Sequence, residues 1–67
     1  MTNDEIRNII AIQIWKYQEC EEGYGDFNKV PDDGQDMPTM VKQMALDQAE
    51  LIRVALVGFG VLPGGVQ

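Results

Sequence analysis

The 67-residue chain contains no histidine, no serine and a single cysteine, Cys20, and these absences exclude most of the common catalytic chemistry. A Ser-His-Asp triad cannot form, and Cys20 has no imidazole that could activate it as a nucleophile. One thiolate without histidine also cannot build a structural zinc site. Catalysis by this chain alone would therefore have to use carboxylates, together with a divalent metal.

Basic residues are scarce as well, with five Lys and Arg against eleven Asp and Glu, so that the formal net charge is −6. Residues 1–36 carry this whole excess of negative charge, while residues 37–67 are neutral and much more apolar. Because phosphate recognition needs a basic surface, we expect no direct binding to nucleic acid.

The longest apolar run covers residues 51–62. A membrane-spanning helix needs about 20 apolar residues, so we expect no membrane association. The lone cysteine and the absence of an apolar N-terminal segment favour a soluble, cytoplasmic protein. A chain of this size has too little surface of its own to bury such a run, which indicates self-association or a covering partner.

Two amphipathic segments predict an all-α fold. Thr2 or Asn3 provides an N-cap for the first helix, and Pro38 suits the first turn of the second. The expected single domain, residues 1–67, contains a helix at about 3–21, an acidic loop 22–37, a helix at about 38–57 and an extended tail 58–67. We expect a two-helix hairpin with a long acidic loop that assembles into a homo-oligomeric helical bundle, a dimer or larger.

The helical periodicity of the first segment predicts a core stripe formed by Ile6, Ile9, Ile10, Ile14, Tyr17 and Cys20. Ile12 and Trp15 lie one turn apart on the opposite side of this helix. A tryptophan beside an isoleucine on an outer face is typical of a contact surface, so these two residues are predicted to anchor a partner.

The second helix has a wide apolar face and a polar face. The apolar face is predicted to consist of Met40, Val41, Met44, Ala45, Leu51, Ile52, Ala55 and Leu56. The polar face is predicted to consist of Lys42, Gln43, Asp47, Glu50 and Arg53. The end of this helix is apolar all round and predicts an oligomer interface. The expected interface residues are Leu51, Val54, Val57, Phe59, Val61 and Leu62.

Acidic residues dominate the connection between the two helices, where they form an electrostatic surface suited to a basic protein partner. The predicted partner-binding carboxylates are Glu19, Asp26, Asp32, Asp33 and Asp36. A calcium loop is not expected there, because Pro31 occupies the position that requires glycine.

Two carboxylate pairs, Glu19-Cys-Glu-Glu22 and Asp47-Gln-Ala-Glu50, are similar to the paired motifs of all-α MazG-like nucleotide pyrophosphohydrolases. In that family, Glu-x-x-Glu on one helix and Glu-x-x-Asp on another hold magnesium against a nucleoside triphosphate; here the second pair is inverted. The resemblance implies a magnesium site formed by Glu19, Glu22, Asp47 and Glu50.

Three interpretations of function follow from these observations. The first is a small non-enzymatic oligomeric interaction or accessory protein, without catalytic residues, metal or cofactor, that binds a macromolecular partner or a ligand between subunits. The second is an acidic inhibitor that mimics nucleic acid. The third is a magnesium-dependent nucleoside triphosphate pyrophosphohydrolase of the MazG-like type.

Incubation with a panel of deoxynucleoside triphosphates and magnesium separates the third interpretation from the first. On the non-enzymatic interpretation we expect no release of pyrophosphate. Turnover that both Glu22→Gln and Glu50→Gln abolish would instead identify the carboxylate pairs as a catalytic site.

Overall fold

The computed structural model describes residues 1–62, and within this range the chain is helical and contains no strand. The elements are α1 (Asn3–Tyr17), α2 (Cys20–Tyr24), a 3₁₀ turn (Phe27–Lys29) and α3 (Met37–Gly58). The all-α prediction is thus confirmed. α1 and α3 pack against each other, and α2 and the 3₁₀ turn lie in the acidic connection between them.

The first predicted helix is divided into two. Thr2 caps α1: its hydroxyl accepts from the Glu5 amide at 3.2 Å, and its own amide donates to Glu5 Oε1 at 2.7 Å. α1 ends at Tyr17 rather than near residue 21, because Glu19 adopts a left-handed conformation with φ of 60°. Cys20 then starts α2, so the predicted continuous helix is wrong at its end.

α3 begins and ends within one residue of the predicted bounds. Beyond it, Gly60 turns the chain with a φ of 80°. The amides of Val61 and Leu62 then donate to the Leu56 carbonyl at 2.9 and 3.3 Å. The chain therefore folds back on the helix end and is not extended from residue 58. The rest of the predicted tail, residues 63–67, lies outside the described residues.

Trp15 lies in the core and is only 1% exposed. Its Nε1 donates to the Gly25 carbonyl at 2.8 Å, and its ring meets that of Phe27 edge-on at 5.5 Å between centroids. The buried apolar cluster comprises Ala11, Trp15, Cys20, Phe27, Val30, Ala45 and Ala49. The placement of Ile12 and Trp15 on an exposed surface is therefore wrong: Ile12 is half-buried and packs against the same cluster.

The predicted core stripe of α1 faces inward only in part. Ile10 and Ile14 pack against the core, but Ile9 is exposed and Tyr17 is 88% exposed. α1 is rotated because the indole of Trp15 finds aromatic neighbours and a hydrogen-bond acceptor in the connection, which the periodicity of one helix cannot reveal.

The inward face of α3 is also different from the predicted one. Its buried residues are Thr39, Lys42, Ala45 and Ala49, whereas the larger Met40, Met44 and Leu51 point away from the core. Small alanines on the inward face leave room for the indole of the other helix, since large and small residues alternate in a packed core. The predicted apolar face of this helix is thus largely the exposed one.

Lys42 was expected on the polar face, yet it is 7% exposed. Its Nζ donates to the Val30 carbonyl at 2.7 Å and lies 3.1 Å from Asp32 Oδ1. The same ammonium lies 4.6 Å from the centre of the Phe27 ring. A lysine can be buried in this way because its stem is apolar and its charge has partners. Lys42 therefore ties the connection to α3.

We expect Trp15→Ala to lower the free energy of unfolding by about 3–5 kcal/mol, since it removes the largest buried side chain. A chain of this length has only about 3–10 kcal/mol in total, so this loss is a large part of the stability of the fold. Trp15→Phe keeps an aromatic ring, although a smaller one, and loses the bond to the Gly25 carbonyl; the lost bond alone costs about 1–2 kcal/mol.

Urea titration followed by far-UV circular dichroism measures these changes in dilute protein. Tyr17→Ala is the matched control, because this aromatic side chain of the same helix is exposed. Equal destabilisation by Trp15→Ala and Tyr17→Ala would contradict the central place of the indole.

Candidate functional site

A row of large apolar side chains lies on the side of α3 that faces away from the core. These residues, called here the outer α3 face, are Met37, Met40, Met44, Leu51 and Val54. They are between 45% and 73% exposed, with Leu51 the most exposed. A helix of a small globular protein ordinarily turns such residues inward, so the outer α3 face is an apolar surface without a partner among residues 1–62.

An apolar groove of about 600 Å³ opens beside the outer α3 face, between α1 and α3. It is lined by Ile10, Gln13, Ile14, Tyr17, Gln18, Gln48, Leu51 and Ile52. Leu51 belongs to both surfaces and makes them continuous. None of these lining residues is charged, although 24% of the chain is. Such a lining suits an apolar ligand or side chain, with the amides of the glutamines available for hydrogen bonds.

The residues predicted to form an oligomer interface differ in exposure. Leu51, Val54, Phe59 and Val61 are exposed, and Val57 and Leu62 are half-buried. The exposed members continue the apolar surface to the end of α3 and beyond it. The interface itself stays a prediction.

The predicted partner-binding carboxylates Glu19, Asp26, Asp32, Asp33 and Asp36 all belong to exposed residues. Several of them also stabilise the connection. Asp26 and Asp33 each accept from the backbone amide two residues further on, at 3.0 Å, and Asp32 pairs with Lys42. Their part in binding a basic protein stays a prediction.

The four carboxylates of the magnesium-dependent alternative are not brought together. Within residues 1–62 there is no group of three or more Asp, Glu, Cys or His side chains that could hold a metal ion. Glu50 instead accepts from Arg53, at 3.0 Å from Nε and 2.6 Å from Nη2. This hydrogen bonding lowers the pKa of Glu50 below its usual value and raises that of Arg53.

Tyr17, which lines the groove, was expected in the core. No sequence signal shows the groove, because it depends on the rotation and crossing of two helices. The outer α3 face does have a signal: its residues are separated by three, four, seven and three positions, a spacing that keeps them on one side of a helix.

Comparison with family models, with curated proteins and with solved structures finds no match for the chain. In the part of the chain that the structure describes, no helix is long and apolar enough to cross a membrane.

We expect stability to fall in acid in a way that depends partly on Glu50. The pKa of Glu50 is lowered in the folded chain. Its contribution to the free energy of unfolding is therefore present when the pH is above the ordinary pKa of 4.5, and it is lost as the pH falls through the lower pKa of the folded state. The effect is small, because this side chain is partly exposed to solvent.

Urea midpoints at about pH 7 and about pH 3.5 test this dependence. Glu50→Gln should lower the urea midpoint at the higher pH and reduce the difference between the midpoints at the two pH values. Glu22→Gln, at an exposed position of α2, is the control and should leave the difference unchanged. An unchanged difference in Glu50→Gln would contradict the role of the pair with Arg53.

Proposed function

We propose that the protein is a small non-enzymatic interaction protein. In this proposal, α1 and α3 form a helical hairpin that assembles into a homo-oligomeric bundle and binds a macromolecular partner or an apolar ligand between its subunits. The end of α3 and the residues after it, with Leu51, Val54 and Phe59 exposed, contribute to the interface.

The observation that carries this proposal is the orientation of α3. Its inward face has the small Ala45 and Ala49, while Met40, Met44 and Leu51 are exposed to solvent. Each fully buried Leu, Val or Met contributes about 1.5–3 kcal/mol, so leaving several exposed sacrifices much of the driving force available to so short a chain. A partner that covers the outer α3 face recovers this driving force.

The groove supports the same function by its chemistry. Its apolar lining, with Ile14, Leu51 and Ile52, has no charge to compensate, and Gln13 and Gln48 add groups that can donate or accept hydrogen bonds. An apolar side chain or ligand can enter without burying an unpaired charge. This is the composition of a binding groove in an otherwise acidic protein.

The charge distribution adds a preference among partners. The acidic connection between α1 and α3 presents exposed carboxylates, and the net charge of −6 favours approach by basic proteins. Such charges raise the rate of encounter and the specificity more than the affinity. The apolar surface then supplies the affinity.

We expect the purified protein to sediment as more than a 7.5-kDa monomer at high concentration. Leu51→Gln should shift the assembly toward monomer by more than about tenfold in dissociation constant, because a buried leucine contributes about 1.5–3 kcal/mol. Sedimentation equilibrium over a range of protein concentrations measures this constant.

Ile9→Gln is the matched control, since it places the same polar side chain at an exposed apolar position of α1 outside the groove. It should leave the assembly unchanged. A wild-type protein that stays monomeric from about 1 µM to about 1 mM would refute the proposed self-association.

A further inference from the structure

The outer α3 face has the spacing of a helix that pairs with another helix. Met37, Met40, Met44, Asp47, Leu51 and Val54 follow one another at intervals of three, four, three, four and three residues. An alternation of three and four residues is the heptad repeat with which two helices keep one seam in contact over several turns. Five of the six positions are apolar and exposed, and the sixth is the exposed Asp47.

We propose that the outer α3 face binds the same face of a second copy of the chain, in an antiparallel two-helix seam. The inference rests on the proposed self-association and specifies its interface: which residues meet, and in which direction the two helices run.

The exposed area is sufficient for a weak dimer. An aromatic side chain buries about 150–250 Å², and the side chains of the outer α3 face are slightly smaller. At their observed exposure, together they present on the order of 400 Å² of apolar surface per copy. Two copies with their flanking residues reach about 1,000 Å², the lower limit of a specific interface. The seam covers only about two and a half heptads, so we expect a dissociation constant in the micromolar range.

Two groups of charges determine the direction. In a parallel pair the two Asp47 carboxylates would face each other inside the seam, where the repulsion of like charges is strong. A parallel pair would also place the two acidic connections, which precede Met37, side by side at one end. An antiparallel pair separates the connections to opposite ends and displaces the two Asp47 residues by about 4.5 Å along the axis.

The register follows from matching the seam positions within α3. In one antiparallel register, every apolar seam position lies opposite a residue of α3 in the other copy. In this register Met37 of one copy lies opposite Val54 of the other, and Met40 lies opposite Leu51. Met44 then lies opposite Asp47. The aspartate is tolerated because it meets a flexible methionine rather than another carboxylate, and it limits the affinity.

Sedimentation equilibrium with matched variants tests the seam. Met40→Gln and Val54→Gln should each weaken the dimer at least tenfold, and Ile9→Gln should not. Asp47→Leu should tighten it at least tenfold, while Glu22→Leu, which removes the same charge from an exposed position of α2, should have no such effect. Circular dichroism verifies that each variant keeps its helices.

Disulfide cross-linking tests the direction, with Met40→Cys and Leu51→Cys prepared in a Cys20→Ala background. On oxidation of an equimolar mixture, the antiparallel register predicts the mixed disulfide, identified by its intact mass. Homodisulfides of each variant would instead identify a parallel pair and overturn the proposed direction.

The outcomes also separate this inference from the proposed function. A dimer that Met40→Gln, Val54→Gln and Asp47→Leu leave unchanged would show that the chain self-associates through another surface, and would overturn the seam alone. A wild-type chain that is monomeric throughout the concentration range would overturn the seam and the proposed self-association together.

Discussion

The packing of Trp15 determines the rest of the structure. Its indole is the largest side chain that is almost completely buried in the described residues, and it joins three parts of the chain. The bond from Nε1 to the Gly25 carbonyl fixes the connection against α1, and the edge contact with Phe27 draws the 3₁₀ turn to the same place. Because tryptophan has a single polar atom, one acceptor is enough to make its burial favourable. The rotation of α1 follows from this requirement.

The orientation of α3 is a consequence of the burial of Trp15 on α1, the helix that packs against it. A bulky indole on α1 requires small neighbours, and Ala45 and Ala49 are the buried alanines of α3. Lys42 completes the inward face, since its ammonium has the Val30 carbonyl, Asp32 and the Phe27 ring as partners. Once this face is turned inward, the methionines and leucine on the other side of the helix must be in solvent. The exposed surface is thus a geometric result of how the core is filled.

Much of the local structure could be predicted from the sequence, because it depends on neighbouring residues. Thr2 as a cap and Pro38 in the first turn of α3 were sufficient to place two helix starts. The faces of the helices could not be predicted, because periodicity treats each helix alone and counts Lys42 as polar and Trp15 as an outer residue. The left-handed Glu19 had no signal either, since a glutamate rarely adopts that conformation. The end of α3 was predicted as a contact surface, and the groove beside it depends on a crossing of helices that no local pattern encodes.

In the proposed seam, association uses the same helix as folding, and this would connect their energies. The buried cluster consists of Trp15, Phe27, Val30, Cys20 and three alanines, so it buries little apolar area for a domain of this length. Most of the larger side chains of α3 lie outside this core. A second copy that covers them binds only the folded chain, because the outer α3 face exists as a continuous surface only when α3 is helical. By mass action such binding stabilises the fold in proportion to the logarithm of the protein concentration. A short chain without disulfides can in this way obtain from its partner the stability that its own core lacks.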